Sequence, residues 1–158
     1  SKIGNNNTTN NTINNNQKIS IKVFLNDHGK DALNLKDFIK NIEIRANKLS
    51  LNNVIGHINS QKEVGLDKNS IDLDFICNTY HHFEYPITTL KSVYQSLVPN
   101  GRLVIIDFKR DPNISSSWVM GHVRAHKEKV IKEVESIGFK LIDDNNMLEQ
   151  NYFLSFRK

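Results

Sequence analysis

Hydrophobic and polar positions change period several times along the chain. From residue 19, ISIKVFLND alternates Ile19, Ile21, Val23 and Leu25 with Ser20, Lys22 and Phe24. This predicts a strand that runs into the polar Asn26, Asp27, His28 and Gly29. Leu35, Phe38, Ile42, Ala46 and Leu49 are spaced 3, 4, 4 and 3, one apolar face of a helix. A short strand is predicted over 52–58, a loop over SQKEVGLDKNS, and a further strand over 71–77, IDLDFIC. After Pro86, the residues Ile87, Leu90, Val93, Tyr94 and Leu97 share a helical face that Pro99–Asn100–Gly101 should end with a turn. Residues 102–108 contain the unbroken apolar run LVII, as in a strand covered on both faces. A polar loop over 109–117 leads to Val123, Val130, Ile131, Val134 and Ile137, predicted as one helix ending at Gly138. Strands over 139–142 and 152–156 close the chain. The expected order, β-α-β-β-α-β-α-β-β, is that of an α/β fold whose sheet is parallel except for its last strand.

Composition changes this picture at the front. Eight of the first sixteen residues are Asn, so residues 1–17 hold too little apolar area to offset ordering and are expected to be a disordered tail before a domain over 18–158. The net charge of +4 comes from lysines spread along the chain, with no Arg cluster or aromatic–basic interleaving. That argues for a basic surface rather than a nucleic-acid partner. The single cysteine, Cys77, excludes an internal disulfide and a multi-cysteine zinc site, and it suits the reducing cytoplasm. Cys77 itself reads as a small buried hydrophobe. No apolar run is long enough for a membrane span. The seven glycines stand at 4, 29, 56, 65, 101, 121 and 138, never closer than nine residues. A phosphate- or nucleotide-cradling loop needs at least two within about six positions, so neither a P-loop nor a GxGxxG turn is present.

The stretch DLDFICNTYHHFEYPITTLKSVYQSLVPNGRLVIIDF resembles the second half of class I S-adenosylmethionine-dependent methyltransferases of the type 11 kind. The resemblance rests on Asp72, His81-His82-Phe83, Pro86, Leu97-Val98-Pro99-Asn100-Gly101 and Asp107. It continues through GHVRAHKEKVIKEVESIGFKLIDD and NYFLSFRK, and upstream through RANKLSLNNV, covering roughly residues 19–158. It implies a Rossmann-like sheet with a C-terminal antiparallel hairpin and S-adenosylmethionine as cofactor. The family's glycine-rich cofactor loop has no counterpart in this chain. Residues 19–27 match the family's second strand, so the first strand and helix are missing from the expected fold. Their loss leaves a gap in the sheet's middle or makes the neighbouring strands close it.

The resemblance also implies site residues. Asp27, ending its strand, is placed to accept hydrogen bonds from the cofactor's ribose, with a turn role in Asp-His-Gly as the rival. Ser60 and Gln61 fall where the family contacts the adenine amino group. Asn78 lies at the sheet's carboxyl edge, where α/β ligands bind, or it only shapes a turn there. Tyr80, His81 and His82 line the acceptor side, and a neutral imidazole there can take a proton near neutral pH. His122 and His126, four apart on the predicted helix, have a spacing that can hold a metal. They lack the Glu of an HExxH pattern and lie among lysines, so no metal is expected. Trp118 and Met120 cover either the site or the core. Two functions remain open. One is methyl transfer to an unidentified acceptor by a truncated enzyme that holds its cofactor weakly. The other is an inactive, methyltransferase-like partner module that self-associates or pairs with a missing N-terminal half.

Overall fold

The computed structural model describes residues 19–22, 35–51, 53–57 and 59–158. The Asn-rich tail and Asp27 lie outside the described residues. Among the described residues, five strands form one sheet: β1 (Ile19–Lys22), β2 (Ile71–Cys77), β3 (Leu97–Phe108), β4 (Lys140–Asn145) and β5 (Asn151–Arg157), in the order β1-β2-β3-β5-β4. β1, β2 and β3 are mutually parallel, whereas β5 runs antiparallel to both β3 and β4. The mostly parallel sheet with a closing hairpin is the architecture expected. The gap does not persist, because β1 pairs directly with β2 from Ile19 against Leu73 to Lys22 against Ile76.

The helices are α1 (Leu35–Lys48), α2 (Pro86–Ser96), α3 (Ser117–His122) and α4 (Lys127–Glu135), with a 3₁₀ turn at Tyr80–His82. Pro86 stands in the first turn of α2, where its missing N–H costs nothing. Leu90 and Val93 from α2, with Val130 and Val134 from α4, pack on Ile76, Leu103, Ile105, Leu154 and Phe156 in one core. Alternation along β5 buries Tyr152, Leu154 and Phe156 together.

Three local expectations need correction. The described residues of 52–58 form no strand: the Gly56 N–H donates to the Glu43 carboxylate at 3.1 Å instead of to a sheet ladder, and Val54 and Ile55 are exposed. The Pro99–Gly101 turn is kept, but as a bulge inside β3, where residues 98–101 loop out opposite Asp72 alone. Asn100 has a φ of 63°, and a Cβ on Gly101 would lie 2.8 Å from the Val98 carbonyl oxygen, so the bulge needs glycine there. Finally, the helix expected to begin near Val123 is split. Residues 123–126 are extended, with Val123 and Ala125 buried at the strand-like period of two, and α4 starts only at Lys127.

Candidate active site

Parallel sheets bind ligands beyond the carboxyl ends of their strands, and β2 and β3 both end at the same edge. Asn78 turns the chain out of β2. Its φ is 49°, its N–H donates to the Ile106 carbonyl at 2.8 Å, and its Oδ1 accepts from Asn151 Nδ2 at 2.8 Å. The short left-handed turn is one that asparagine tolerates well. The 3₁₀ turn that follows sends successive side chains in different directions.

Tyr80 goes into the interior, where its hydroxyl donates to Glu133 Oε2 at 2.7 Å. Arg124 grips the same carboxylate with both terminal nitrogens, each at 2.8 Å. Burial pushes the Tyr80 phenol well above its ordinary value, and the Glu133 bond adds to the shift. Burial alone would raise Glu133 too, but the bonds from Arg124 and Tyr80 outweigh it and hold the carboxyl below the ordinary range. Tyr80 therefore does not join the histidines. It ties the turn to α4.

His81 points the other way, to Asp107 near the end of β3. Asp107 Oδ2 accepts the His81 backbone N–H at 2.9 Å, and Oδ1 lies 2.7 Å from His81 Nδ1. The same Oδ1 accepts the Phe108 N–H at 2.8 Å. The two side chains are only 3% and 1% exposed, so water does not compete for the contact. A carboxylate on Nδ1 fixes the neutral ring as the Nδ1–H tautomer and leaves Nε2 with the lone pair.

His82 and His122 complete the cluster. The His81 and His82 rings are 4.0 Å apart, and the His122 ring lies 5.1 Å from His81 and 5.0 Å from His82. Trp118 stacks on His122 at 4.6 Å, and Phe108 stands edge-on to Trp118 and beside His81. The loop before α3 sets this up: Ser116 caps the helix through Val119 N, and Arg110 donates to the Met120 carbonyl at 3.1 Å. Breaking the predicted long helix brings His122 to this edge. His126 instead occupies the position just before α4 without a side-chain cap, its Nδ1 2.9 Å from Glu128 Oε2. The spacing of four on one helix face is thereby lost.

Ser60 and Gln61 do not meet at this cluster. Ser60 Oγ accepts the N–H groups of Lys62 and Glu63 in its own exposed turn, and the Gln61 carbonyl accepts from Thr89 Oγ1 in the first turn of α2. Asp107, Phe108 and His122 are the residues that sequence reasoning left out of the site. An acid ending an unbroken apolar strand was a visible signal for Asp107. For His122 there was none without the helix break.

Residues 28–105 match the methyltransferase-domain family, just under half of the chain. The fold agrees with that match. Over that segment and in its fold, the chain is similar to the class I S-adenosylmethionine-dependent methyltransferases. An S-adenosylmethionine-dependent methyltransferase from Aquifex aeolicus superposes with a TM-score of 0.70 at 18% identity, covering 89% of this chain and 68% of that one. One from Mesorhizobium loti gives 0.60 at 13%, covering 75% and 76%. The [4+2]-cyclase SpnF gives 0.69 at 12%, covering 90% and 66%. No curated protein matches the sequence. S-adenosylmethionine is the cofactor of the methyltransferase family, but the likeness to a cyclase shows that the fold alone does not fix a reaction.

Proposed function

We propose that the chain carries the acceptor side of an S-adenosylmethionine-dependent methyl transfer. The observation that supports this most is the buried His81–Asp107 pair at the carboxyl edge of β2 and β3. Asp107 holds the imidazole by both its backbone and its ring. His81 Nε2 can then accept a proton from an acceptor hydroxyl or amine, and His82 and Trp118 help to line the approach. Methyl transfer from a sulfonium depends mainly on alignment, so a fixed ring is as useful for position as for basicity.

The described residues do not supply the cradle for the cofactor's amino-acid end. Gly65 is closed off by His57, whose Nε2 would lie 2.6 Å from an added Cβ, and Gly101 is closed by Val98 and Leu97. Gly138 packs on Tyr94, and Gly121 stands alone in α3. These isolated glycines favour the second reading, a methyltransferase-like module that binds a partner without turning over.

Calorimetric titration of this chain with S-adenosylmethionine separates the two. Two lost charge-assisted hydrogen bonds, each worth roughly 1.5–3 kcal/mol, weaken binding by about 100-fold to 10,000-fold. The expected dissociation constant is therefore about millimolar or weaker. A micromolar constant would show that the glycine-rich turn is dispensable and return the chain to the self-sufficient enzymes. Where cofactor affinity is present, Asp27→Ala should cost it about 1–3 kcal/mol. No change would leave Asp27 as a turn residue.

A further inference from the structure

The three imidazoles at the carboxyl edge have more in common than ring contacts. His81, His82 and His122 each present a ligating nitrogen within 4.8 Å of the other two. Zinc bonded to imidazole nitrogens at about 2.0–2.1 Å needs them roughly 3.4 Å apart. Closing that difference asks for small rotations of His82 and His122, both only half-buried. His81 needs none. Its Nδ1 is held by Asp107, so Nε2 is its remaining donor, and carboxylate on one ring nitrogen with metal on the other is the arrangement that orients histidine ligands. The Asp107 carboxylate also takes the His81 backbone N–H, so ring and backbone are fixed by one group. Trp118 and Phe108 wall the cluster with aromatic rings.

We infer that His81, His82 and His122 form a binding site for a zinc-class divalent ion, with Asp107 as the group that orients His81. Three imidazole nitrogens suit zinc and its transition-metal neighbours and not magnesium or calcium, which take oxygen ligands. Three protein ligands leave a fourth position for water or a small polar ligand, as in catalytic rather than structural zinc sites. The inference stands on these four residues and does not depend on cofactor binding; an ion on His81 Nε2 takes up its lone pair, so His81 serves as proton acceptor only in the ion-free protein.

The test is zinc binding to the whole chain after chelator treatment, read by competition with a chromophoric chelator. One ion per chain is expected, with a dissociation constant of about a micromolar or below. His122→Ala and His82→Ala should each weaken it by at least about 10-fold, and Asp107→Asn by about 10-fold to 100-fold. His57→Ala and His126→Ala should leave it unchanged. His122 ends a six-residue helix and is half-exposed, so its variant should keep the fold, as checked by circular dichroism; His122→Gln is the second variant if it does not. Cobalt in place of zinc should give the visible bands of a tetrahedral site in the parent and lose them in His122→Ala. A parent constant weaker than about 100 μM, or zinc held equally well by the His122 variants, would overturn the site.

Discussion

Residues 64–158 and residues 35–57 use the same kinds of side chain to very different effect. In the first region Leu103, Ile105, Leu154 and Phe156 are fully buried, covered by α2 and α4. In the second, α1 and the segment after it leave Ile42, Ile44, Leu49, Leu51, Val54 and Ile55 exposed, and only Ala46 is buried among the described residues. No described α1 residue joins the core cluster. Helical periodicity was equally clear in both regions, but periodicity places apolar groups on one face without supplying anything to cover it. Hydrophobic stabilisation scales with area removed from water, so the later region should carry most of the stability. The histidine edge belongs to that region, and Asp27, the expected ribose ligand, falls in the sequence before α1. Rigidity should therefore favour the histidine edge.

The largest test of this contrast is a cavity in the covered sheet. Leu103 is fully buried and lies in β3 between its partners Asp74 and Phe156. Leu103→Ala should cost about 2–5 kcal/mol in urea unfolding, from lost transfer energy and the void left behind. A loss below about 1 kcal/mol would mean that the sheet repacks freely, and the contrast would fail.

A smaller effect should come from the Tyr80–Glu133–Arg124 contact that joins the 3₁₀ turn to α4. The folded state holds the Glu133 carboxyl below the ordinary carboxylate value. Its contribution is thus fully present above the unfolded value, about 4.3, and is lost as pH falls through the lower, folded one. Glu133→Gln should reduce stability near neutral pH by about 1–3 kcal/mol, since the charge-assisted bonds from Arg124 weaken. It should also flatten the acid side of the stability profile. An acid limb identical to the parent's would show that the contact contributes nothing to folding.

What could be read from the sequence divides along similar lines. The strands at 71–77 and 102–108 and the closing hairpin were legible because covered strands write continuous or alternating apolar runs, and Asp107 ends one of them. The strand expected over 52–58 is absent from its described residues: Leu51, Val54 and Ile55 give a β-like composition, but the Gly56 N–H donates to the Glu43 side chain. The histidine cluster was half legible. His81 and His82 are adjacent in sequence at a strand end, whereas His122 reaches them only because residues 123–126 leave the helix. That break follows from burying Val123 and Ala125 on one side while Arg124 reaches Glu133, a tertiary cause that helical spacing does not record. Tyr80 was misplaced for a related reason: one residue along a 3₁₀ turn changes which layer a side chain enters.

The smallest expected effect is at Ile55, which is 87% exposed. An alanine there removes little apolar surface from a buried environment, so Ile55→Ala should change stability by no more than about 0.5 kcal/mol. The same substitution in a covered position would cost several times that. The comparison is informative because Ile55 is also where the front region could be hiding a partner. If Ile55→Ala costs about 2 kcal/mol or more, the side chain is buried in solution by a second copy or another protein. The unfolding midpoint of the parent chain would then rise with concentration if the cover is a second copy. A small loss together with a midpoint independent of concentration would leave the front as a loosely held layer on a well-packed sheet.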